Sequence, residues 1–249
     1  MSLPDLTGRC AVVTGASRGL GAGLARYFQK QGLHLGLCSR GAPVLAAGDG
    51  VVSRKLDVRD EEAIEAFTKS VEERFGAIDL WINNAGLLEP IAPLRDTLVA
   101  DFREHIDVNL TGVFLGTRSY VRHLRRRGGE GVLINVSSGA AWKGYAGWAA
   151  YCAGKAGVER LTDCVQIEEE ASGLRAYAVA PGVVDTDMQA LIRECTPERF
   201  PEVERFRERK LEGAFNSPEF VAEHLLAIAF DPERRPEEVA ARIPDEHDA

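Results

Sequence analysis

The stretch CAVVTGASRGLG, residues 10–21, decides the fold. A short apolar run leads into a glycine-rich turn, and a helical pattern follows over residues 20–31. A turn that ends at a helix N-terminus directs backbone N–H groups and the positive end of the helix dipole to one point, which suits a phosphate group. Gly15 permits the tight turn, Gly19 permits close approach to the backbone, and Gly21 lets the helix pack on the sheet.

The alternation of short apolar runs and helical patterns continues nearly to the end of the chain. Strands are predicted at residues 10–14, 33–38, 51–56, 78–82, 132–136 and 175–179, and helices at residues 20–31, 60–75, 99–127, 149–171 and 217–230. The strands are apolar on both faces, as strands covered by helices are. We therefore predict an α/β fold with one doubly wound parallel sheet, a Rossmann fold, in a single domain over residues 1–249. The stretch 185–216 breaks the rhythm and is expected to form a small helical lid after the sixth strand.

Composition excludes several classes of protein. The chain has 249 residues, of which 45% are hydrophobic and 27% are charged, as in ordinary globular proteins. The formal charge of −8 argues against a nucleic-acid partner or an anionic membrane surface. Five scattered cysteines without a C-x-x-C pair indicate neither a metal cluster nor a disulfide framework. No secretion signal or membrane span is recognised, so we expect a cytoplasmic protein.

Four arginines, Arg122, Arg125, Arg126 and Arg127, form the most basic run of the chain. This run ends a predicted helix, where positive charge suits the helix dipole. A solvated helix face is therefore favoured over an anion-binding site.

Further motifs follow the glycine turn in a fixed order. They are N-N-A-G at residues 83–86, Asn109, a serine pair at residues 137–138, Y-x-x-x-K at residues 151–155, and P-G-x-x-x-T at residues 181–186. With these motifs, residues 7–230 of the chain resemble the short-chain dehydrogenase/reductase family. The resemblance implies an oxidoreductase that transfers hydride between a nicotinamide cofactor and a small carbonyl or alcohol.

The predicted catalytic group is centred on one helix. Tyr151 and Lys155 lie four positions apart, so both project from the same helix face, and a nearby ammonium lowers a tyrosine pKa from its usual value of about 10. The resemblance implies that Tyr151 exchanges the proton of the substrate oxygen and that Ser138 holds this oxygen. Ser137 is disfavoured because it points to the other face of its strand. Asn109 matches the family asparagine that kinks its helix and anchors a water leading protons to Lys155.

The resemblance also implies a set of cofactor contacts. The expected cofactor-binding residues are Gly15, Ser17, Arg18, Gly19, Leu20, Gly21, Ser39, Arg40, Asp57, Val58, Asn83, Ala85, Gly86, Tyr151, Lys155, Pro181, Gly182, Val184 and Thr186. Local alternatives stay open, because an aspartate such as Asp57 also serves as a helix cap and a Pro-Gly pair also serves as a plain turn.

The choice between NAD and NADP depends on the end of the second strand. NAD sites normally place a carboxylate there, about 20 residues beyond the glycine turn. Here Ser39 and Arg40 occupy the position, and Arg40 can pair with a 2′-phosphate that a carboxylate would repel. Arg18 adds a second cation from the glycine turn. We therefore predict NADP(H), with a merely solvent-exposed Arg40 as the alternative.

The substrate prediction rests on two further segments. Residues 147–156, GWAAYCAGKA, resemble sepiapterin reductases, and residues 180–189, APGVVDTDMQ, resemble these enzymes and the bacterial benzil reductases. Both subgroups reduce a carbonyl beside another carbonyl with NADPH, so a vicinal dicarbonyl is the expected substrate. Trp142, Tyr145 and Trp148 are expected to form an aromatic wall, with Met188 as another contact. For at least two of the three aromatics, plain structural packing is an equally good explanation.

Other functions stay open at this point. One is an alcohol or hydroxysteroid dehydrogenase that acts on another ketone and alcohol pair, and another is a non-catalytic NADP-binding sensor. The intact set of Ser138, Tyr151, Lys155 and Asn109 disfavours the sensor, because a sensor needs no proton path. By resemblance, helices 99–127 and 149–171 would pair with their copies, so a homodimer is expected, with a tetramer as the alternative.

Overall fold

The computed structural model describes residues 4–248 and contains one seven-stranded parallel sheet. Its strands are β1 (Cys10–Thr14), β2 (His34–Ser39), β3 (Val51–Lys55), β4 (Leu80–Asn83), β5 (Gly131–Val136), β6 (Leu174–Ala180) and β7 (Ala240–Arg242). Their order across the sheet is β3-β2-β1-β4-β5-β6-β7. The winding direction reverses between β1 and β4, and open α/β sheets bind ligands at the carboxyl ends of the strands at such a point. The predicted doubly wound parallel sheet is confirmed.

Helices cover both faces of this sheet. They are α1 (Gly19–Lys30), α2 (Glu61–Phe75), α3 (Val99–Ile106), α4 (Gly112–Arg127), α5 (Ala149–Glu169), α6 (Asp187–Arg193), α7 (Val203–Glu212) and α8 (Pro218–Phe230). Helices α1 and α8 pack on one face, and α2, α4 and α5 pack on the other. No helix in the described part of the chain is long and apolar enough to cross a membrane.

The burial of β1 explains why its sequence is apolar throughout. Ala11 and Val13 face the α1 and α8 layer, whereas Cys10 and Val12 face the α2 and α4 layer. All four side chains are buried. A strand that is covered on both sides loses the alternation of polar and apolar residues that marks a half-exposed strand.

Two features go beyond the predicted elements, and a third agrees with them. The helix predicted at residues 99–127 contains a π-helical turn, Asp107–Thr111, which separates α3 from α4. The stretch 185–216 contains α6 and α7, as expected of the predicted helical insert, and we call it the lid. Strand β7 was not predicted, because three residues at the sheet edge give too short a pattern.

Candidate active site

A cavity of about 1110 Å³ lies at the carboxyl ends of the central strands. It is lined by the glycine turn, by the loops that follow β2, β3, β4, β5 and β6, and by the lid. Since ligand pockets for single small molecules span about 300–1,000 Å³, this cavity is large enough for a dinucleotide together with a small substrate.

The glycine turn is shaped to hold an anion. Arg18 is the N-cap of α1 in extended conformation, its side chain makes no capping hydrogen bond, and the first helical turn holds no acidic residue. A Cβ on Gly15 would lie 2.8 Å from the Cα of Ala85, and a Cβ on Gly21 would overlap the carbonyl oxygen of Gly15. The uncapped N–H groups at the helix start and the tight backbone fit a pyrophosphate.

The two asparagines after β4 have different surroundings. Asn83 is buried within the sheet, where its amide donates to Asn135 Oδ1 at 2.8 Å and to Thr117 Oγ1 at 3.1 Å. Asn84 lines the cavity, and its amide donates to the carbonyl of Thr14 at 2.9 Å. The side chain that supports the glycine turn is therefore Asn84, whereas Asn83, which we expected at the cofactor, points its side chain into the core.

The loop after β2 forms one end of the cavity. Ser39 is buried, and its hydroxyl donates to the carbonyl of Gly41 at 3.0 Å, which fixes the turn. The exposed side chain of Arg40 lies on the rim of the cavity, together with Ser17 and Arg18 of the glycine turn.

Asp57 and Val58 line the same end of the cavity. The guanidinium of Arg59 donates to the Asp57 carboxylate at 2.7 Å and, with a smaller effect from the charge of Arg40, holds the pKa of Asp57 below its usual value. The open alternative of Asp57 as a helix cap is not realised, because Asp60 caps α2 by accepting from the N–H of Ala63.

Tyr151, Ser138 and Lys155 meet on the floor of the cavity. The Ser138 hydroxyl is hydrogen-bonded to Tyr151, and this bond lowers the tyrosine pKa. Burial has the larger and opposite effect, so the pKa of Tyr151 stays above its usual value. The ammonium of Lys155 donates to the carbonyl of Val136 at 2.7 Å, and burial lowers the pKa of Lys155 to about 8.

This geometry corrects the expected effect of Lys155 on Tyr151. The Lys155 nitrogen lies 5.8 Å from the centre of the Tyr151 ring, and the main influence on the phenol is its burial. Because a phenolate is poorly solvated inside the protein, burial raises the pKa of this phenol. A protonated phenol is the form that donates a proton to a carbonyl oxygen.

The structure separates Ser137 from Ser138. The Ser137 hydroxyl donates to one oxygen of the Glu159 carboxylate at 2.6 Å, and the indole N–H of Trp142 donates to the other at 2.9 Å. Ser137 is therefore engaged away from Tyr151. Trp142 is 49% exposed and does not line the cavity, so it takes no part in the expected aromatic wall.

The other two predicted aromatics do line the cavity, and Phe206 lines it beside them. Tyr145 and Trp148 line the cavity, as does Met188 of α6. Trp148 stacks on Phe200 with ring centres 4.5 Å apart. Trp148 also contacts Phe206 of α7 edge to face, with ring centres 5.6 Å apart. Neither phenylalanine was predicted to belong here, because both lie in the charged stretch PERFPEVERF.

The turn after β6 closes the cavity. Pro181, Gly182, Val184 and Thr186 line it. The amide of Asn216 donates to the carbonyl of Pro181 at 3.0 Å, so the end of the lid fixes this turn. Gly182 has a φ of +75°, and a Cβ there would lie 2.5 Å from the Asn216 amide nitrogen, which explains the glycine.

The apolar residues predicted for the glycine turn and for the loop after β4 also line the cavity. They are Gly15, Gly19, Leu20, Gly21, Ala85 and Gly86. Asn109 does not line it; the residue is buried in the π-helical turn behind the loop after β4.

The family model for short chain dehydrogenases matches residues 9–196. The chain belongs to the short-chain dehydrogenase/reductase family. Members of this family are oxidoreductases that use a nicotinamide dinucleotide, NAD or NADP, and we expect a small-molecule substrate for this member.

The similar proteins include reductases and dehydrogenases. A benzil reductase ((S)-benzoin forming) of Bacillus subtilis is 32% identical over 224 residues, which cover 87% of this chain and 91% of the relative. The 3beta-hydroxysteroid dehydrogenase 1 of Eggerthella lenta is 35% identical over 239 residues, covering 91% and 88%. The crystal structure of the KRED1-Pglu enzyme superposes with a TM-score of 0.85 at 30% identity, covering 94% of this chain and all of that one.

Proposed function

We propose that this family member is an NADPH-dependent carbonyl reductase that acts on a vicinal dicarbonyl of the benzil or sepiapterin kind. The observation that carries the proposal is the position of the buried Tyr151 beside Ser138 and Lys155 in an aromatic-lined cavity. Carbonyl reduction needs a proton donor at the substrate oxygen, and the phenol of Tyr151 is in place to serve as that donor.

The side chains have distinct tasks in this proposal. When bound, the nicotinamide supplies the hydride that reaches the carbonyl carbon. The Ser138 hydroxyl orients the carbonyl oxygen, and Tyr151 gives this oxygen its proton. Lys155 would bind the hydroxyls of the nicotinamide ribose, and it carries positive charge near the phenol below a pH of about 8. Val184 and Thr186, which line the cavity, would hold the carboxamide and a phosphate.

Charge at the rim supports NADP over NAD. The loop after β2 presents Arg40 and no carboxylate, and Arg59 lies next to it across Asp57. Arg18 faces the rim from the glycine turn. A 2′-phosphate would meet the guanidinium of Arg40 here, whereas Arg59 and Arg18 are paired with Asp57 and Asp187. A hydrogen bond between charged partners is worth about 1.5–3 kcal/mol.

The aromatic wall supports a planar, conjugated substrate. Tyr145, Trp148 and Phe206 line the cavity on the side of the lid. Aromatic rings and dicarbonyls that are flattened by conjugation stack well on such side chains. The similarity to a benzil reductase, which by its name reduces an aromatic diketone, points the same way.

A substrate panel tests the proposal. NADPH consumption is followed with sepiapterin, benzil, an aliphatic 1,2-dione, a steroid ketone and an acetoacetyl thioester, each repeated with NADH. We expect one of the dicarbonyls to give the highest kcat/KM, and we expect NADPH to exceed NADH. The Tyr151→Phe variant is the control, with a loss of about 10²–10⁴-fold. Preference for the steroid ketone or the thioester, or no consumption at all, would refute the substrate class.

An alcohol or hydroxysteroid dehydrogenase is the second candidate function. The similarity to the 3beta-hydroxysteroid dehydrogenase of Eggerthella lenta favours it, since the identity of 35% is as high as that to the benzil reductase. The steroid ketone in the panel, assayed in both directions, separates the two candidates.

We also propose a cytoplasmic homodimer. Phe114 on α4 and Ile167 on α5 are 41% and 81% exposed, and both helices belong to the face that we expect to pair with a second copy. Sedimentation analysis tests this, because a charged residue in place of Ile167 should then lower the mass from that of a dimer or tetramer to that of a monomer.

A further inference from the structure

His105 is the buried titratable group closest to the site that the proposed reaction does not use. It lies in the last turn of α3 and is fully buried. Its Nδ1 is 2.7 Å from the carbonyl oxygen of Glu89, and its Nε2 is 2.8 Å from the amide nitrogen of Asn109. The ring also meets the ring of Tyr151 at right angles, with centres 5.9 Å apart.

The hydrogen bonds determine which nitrogen of His105 carries the proton. Asn109 Oδ1 accepts from the N–H of Leu87 at 2.8 Å, and Asn109 Nδ2 donates to the carbonyl of Leu87 at 2.7 Å, so the backbone fixes the orientation of this amide. The second hydrogen of Nδ2 then points at His105 Nε2, which must accept. The Glu89 carbonyl also accepts, so Nδ1 must donate. His105 is therefore neutral, with its proton on Nδ1.

This arrangement links the helix to one wall of the cavity. Leu87 and Glu89 both line the cavity in the loop after β4. Asn109 holds Leu87 by both its N–H and its carbonyl, and His105 holds Asn109 and Glu89. The position of that wall relative to Tyr151 thus depends on a neutral imidazole.

A proton on Nε2 would break the arrangement. It would place an N–H of His105 against the amide hydrogens of Asn109, and rotating the amide would lose both bonds to Leu87. The groups facing the imidazole are Tyr151 and Lys155 of α5 and the Glu89 carbonyl of the loop. Burial and the positive charge of Lys155 lower the pKa of His105, while the Glu89 hydrogen bond raises it in part.

We propose that His105 is a positioning residue for the reaction: as the neutral Nδ1–H tautomer it orients Asn109 and the loop 87–89 against Tyr151. Protonation of the imidazole releases this loop and lowers activity at acid pH. This inference rests on the proposed function only for the part of its test that measures turnover.

The first measurement concerns the imidazole itself. Nitrogen chemical shifts of His105 in the wild-type protein are followed by NMR from neutral pH down to the lowest pH at which the protein stays folded. We expect a protonated Nδ1 and an unprotonated Nε2 at neutral pH. A proton on Nε2 at neutral pH, as the other tautomer or as imidazolium, would overturn the inference, whether or not any substrate has been found.

The second measurement compares variants across pH. With saturating NADPH, kcat/KM for the carbonyl substrate should fall at acid pH in the wild type, although Tyr151 remains a competent acid there. His105→Gln keeps an acceptor for Asn109 that cannot gain a proton, so the acid decline should disappear while activity at neutral pH stays within several-fold. His105→Leu removes the acceptor and should lower activity at every pH, on the order of 10-fold.

His123→Gln provides the matched control. His123 is also buried, but it accepts from the N–H of Ile78 between α4 and the sheet, outside the cavity lining. The acid decline should persist in this variant. An equal decline in wild type and His105→Gln would overturn the inference.

If no carbonyl in the panel is consumed, the proposed function fails but this inference remains testable. The Kd for NADPH, measured by its fluorescence, should then rise more steeply toward acid pH in the wild type than in His105→Gln, because protonation of the 2′-phosphate weakens binding equally in both proteins. Folding of each variant is verified by thermal melting at the same pH values. If a variant does not fold, the NMR measurement on wild-type His105 tests the inference by itself.

Discussion

The guanidinium of Arg18 donates to the carboxylate of Asp187 at 2.8 Å and joins the glycine turn to the first residue of α6. Both side chains are largely exposed, 74% and 69%, so the pair adds little to stability in water. Beside it, Gly19 faces Thr186, where a Cβ would lie 3.3 Å from the methyl carbon. Arg18 therefore has a carboxylate partner on the rim where the proposed 2′-phosphate would bind.

The Asp187→Asn variant should strengthen the preference for NADPH. Without the carboxylate, Arg18 is free to pair with a 2′-phosphate, and exposed pairs of this kind are worth about 0.2–1 kcal/mol. We expect the ratio of kcat/KM for NADPH to that for NADH to rise by about 2–5-fold. Arg18→Ala should lower the same ratio. An unchanged ratio in both variants would mean that Arg18 only joins the glycine turn to the lid and does not contact the cofactor.

Arg40→Ala should weaken NADPH selectively. Loss of a hydrogen bond between charged partners at the rim should lower kcat/KM for NADPH by about 10–100-fold and leave the value for NADH nearly unchanged. Steady-state kinetics with both cofactors measure the effect. Arg26→Ala is the matched control, because Arg26 is an exposed arginine of α1 that does not line the cavity. Equal losses with both cofactors would contradict NADP recognition by Arg40.

The architecture and the main motifs were predictable because they depend on local pattern. A buried parallel strand is apolar throughout, and the glycine turn must follow such a strand, so β1 and the start of α1 could be placed from residues 10–21. The order of the later motifs then placed Tyr151, Ser138 and Lys155, which the structure brings together on the floor of the cavity.

What could not be predicted depends on contacts between distant segments. Trp142 lies outside the cavity because Glu159, seventeen positions away on α5, accepts from its indole N–H. The side chain of Asn83 turns into the core because Asn135 on the neighbouring strand is its partner. Phe206 reaches the cavity only through the path of the lid. None of these pairings leaves a periodic signal in the sequence.

Lys155→Met should stabilise the protein while abolishing activity. Burial lowers the pKa of Lys155 to about 8 from a usual value near 10.5, so the unfolded chain holds this proton more tightly than the folded one. Burying the charged ammonium therefore lowers the free energy of unfolding by an amount on the order of 3 kcal/mol below pH 8. This cost shrinks above pH 8 and disappears above the usual lysine pKa. In the variant, loss of the hydrogen bond to the Val136 carbonyl offsets about 1 kcal/mol of this gain in stability.

Denaturation of wild type and Lys155→Met at several pH values checks this. The variant should be more stable by about 2 kcal/mol at neutral pH, and its advantage should shrink steadily above pH 8. A variant that is less stable than wild type at neutral pH, or an advantage that does not change with pH, would show that the lysine is not held at a lowered pKa.

Ser138→Ala should lower kcat/KM for the carbonyl substrate by about 10²–10³-fold, as the loss of one donor to a developing oxyanion does. The Ser138 hydroxyl is hydrogen-bonded to Tyr151 on the cavity floor, so its removal acts on the reacting oxygen and on the proton donor together. The free energy of unfolding should change little, because the other hydrogen bond of the Ser138 hydroxyl oxygen within the described residues is a 3.2 Å contact from the N–H of Ala140.

Ser137→Ala is the matched control, one residue away with the same chemistry. Its hydroxyl donates to the Glu159 carboxylate at 2.6 Å, so the variant leaves a charged acceptor with one partner fewer. We expect a loss of about 1–2 kcal/mol in unfolding free energy and a change in kcat/KM of less than about 3-fold. The two substitutions should therefore have different effects: Ser138→Ala lowers activity, and Ser137→Ala lowers stability. The opposite assignment would place the substrate oxygen beside Ser137 and require a different orientation of the substrate in the cavity.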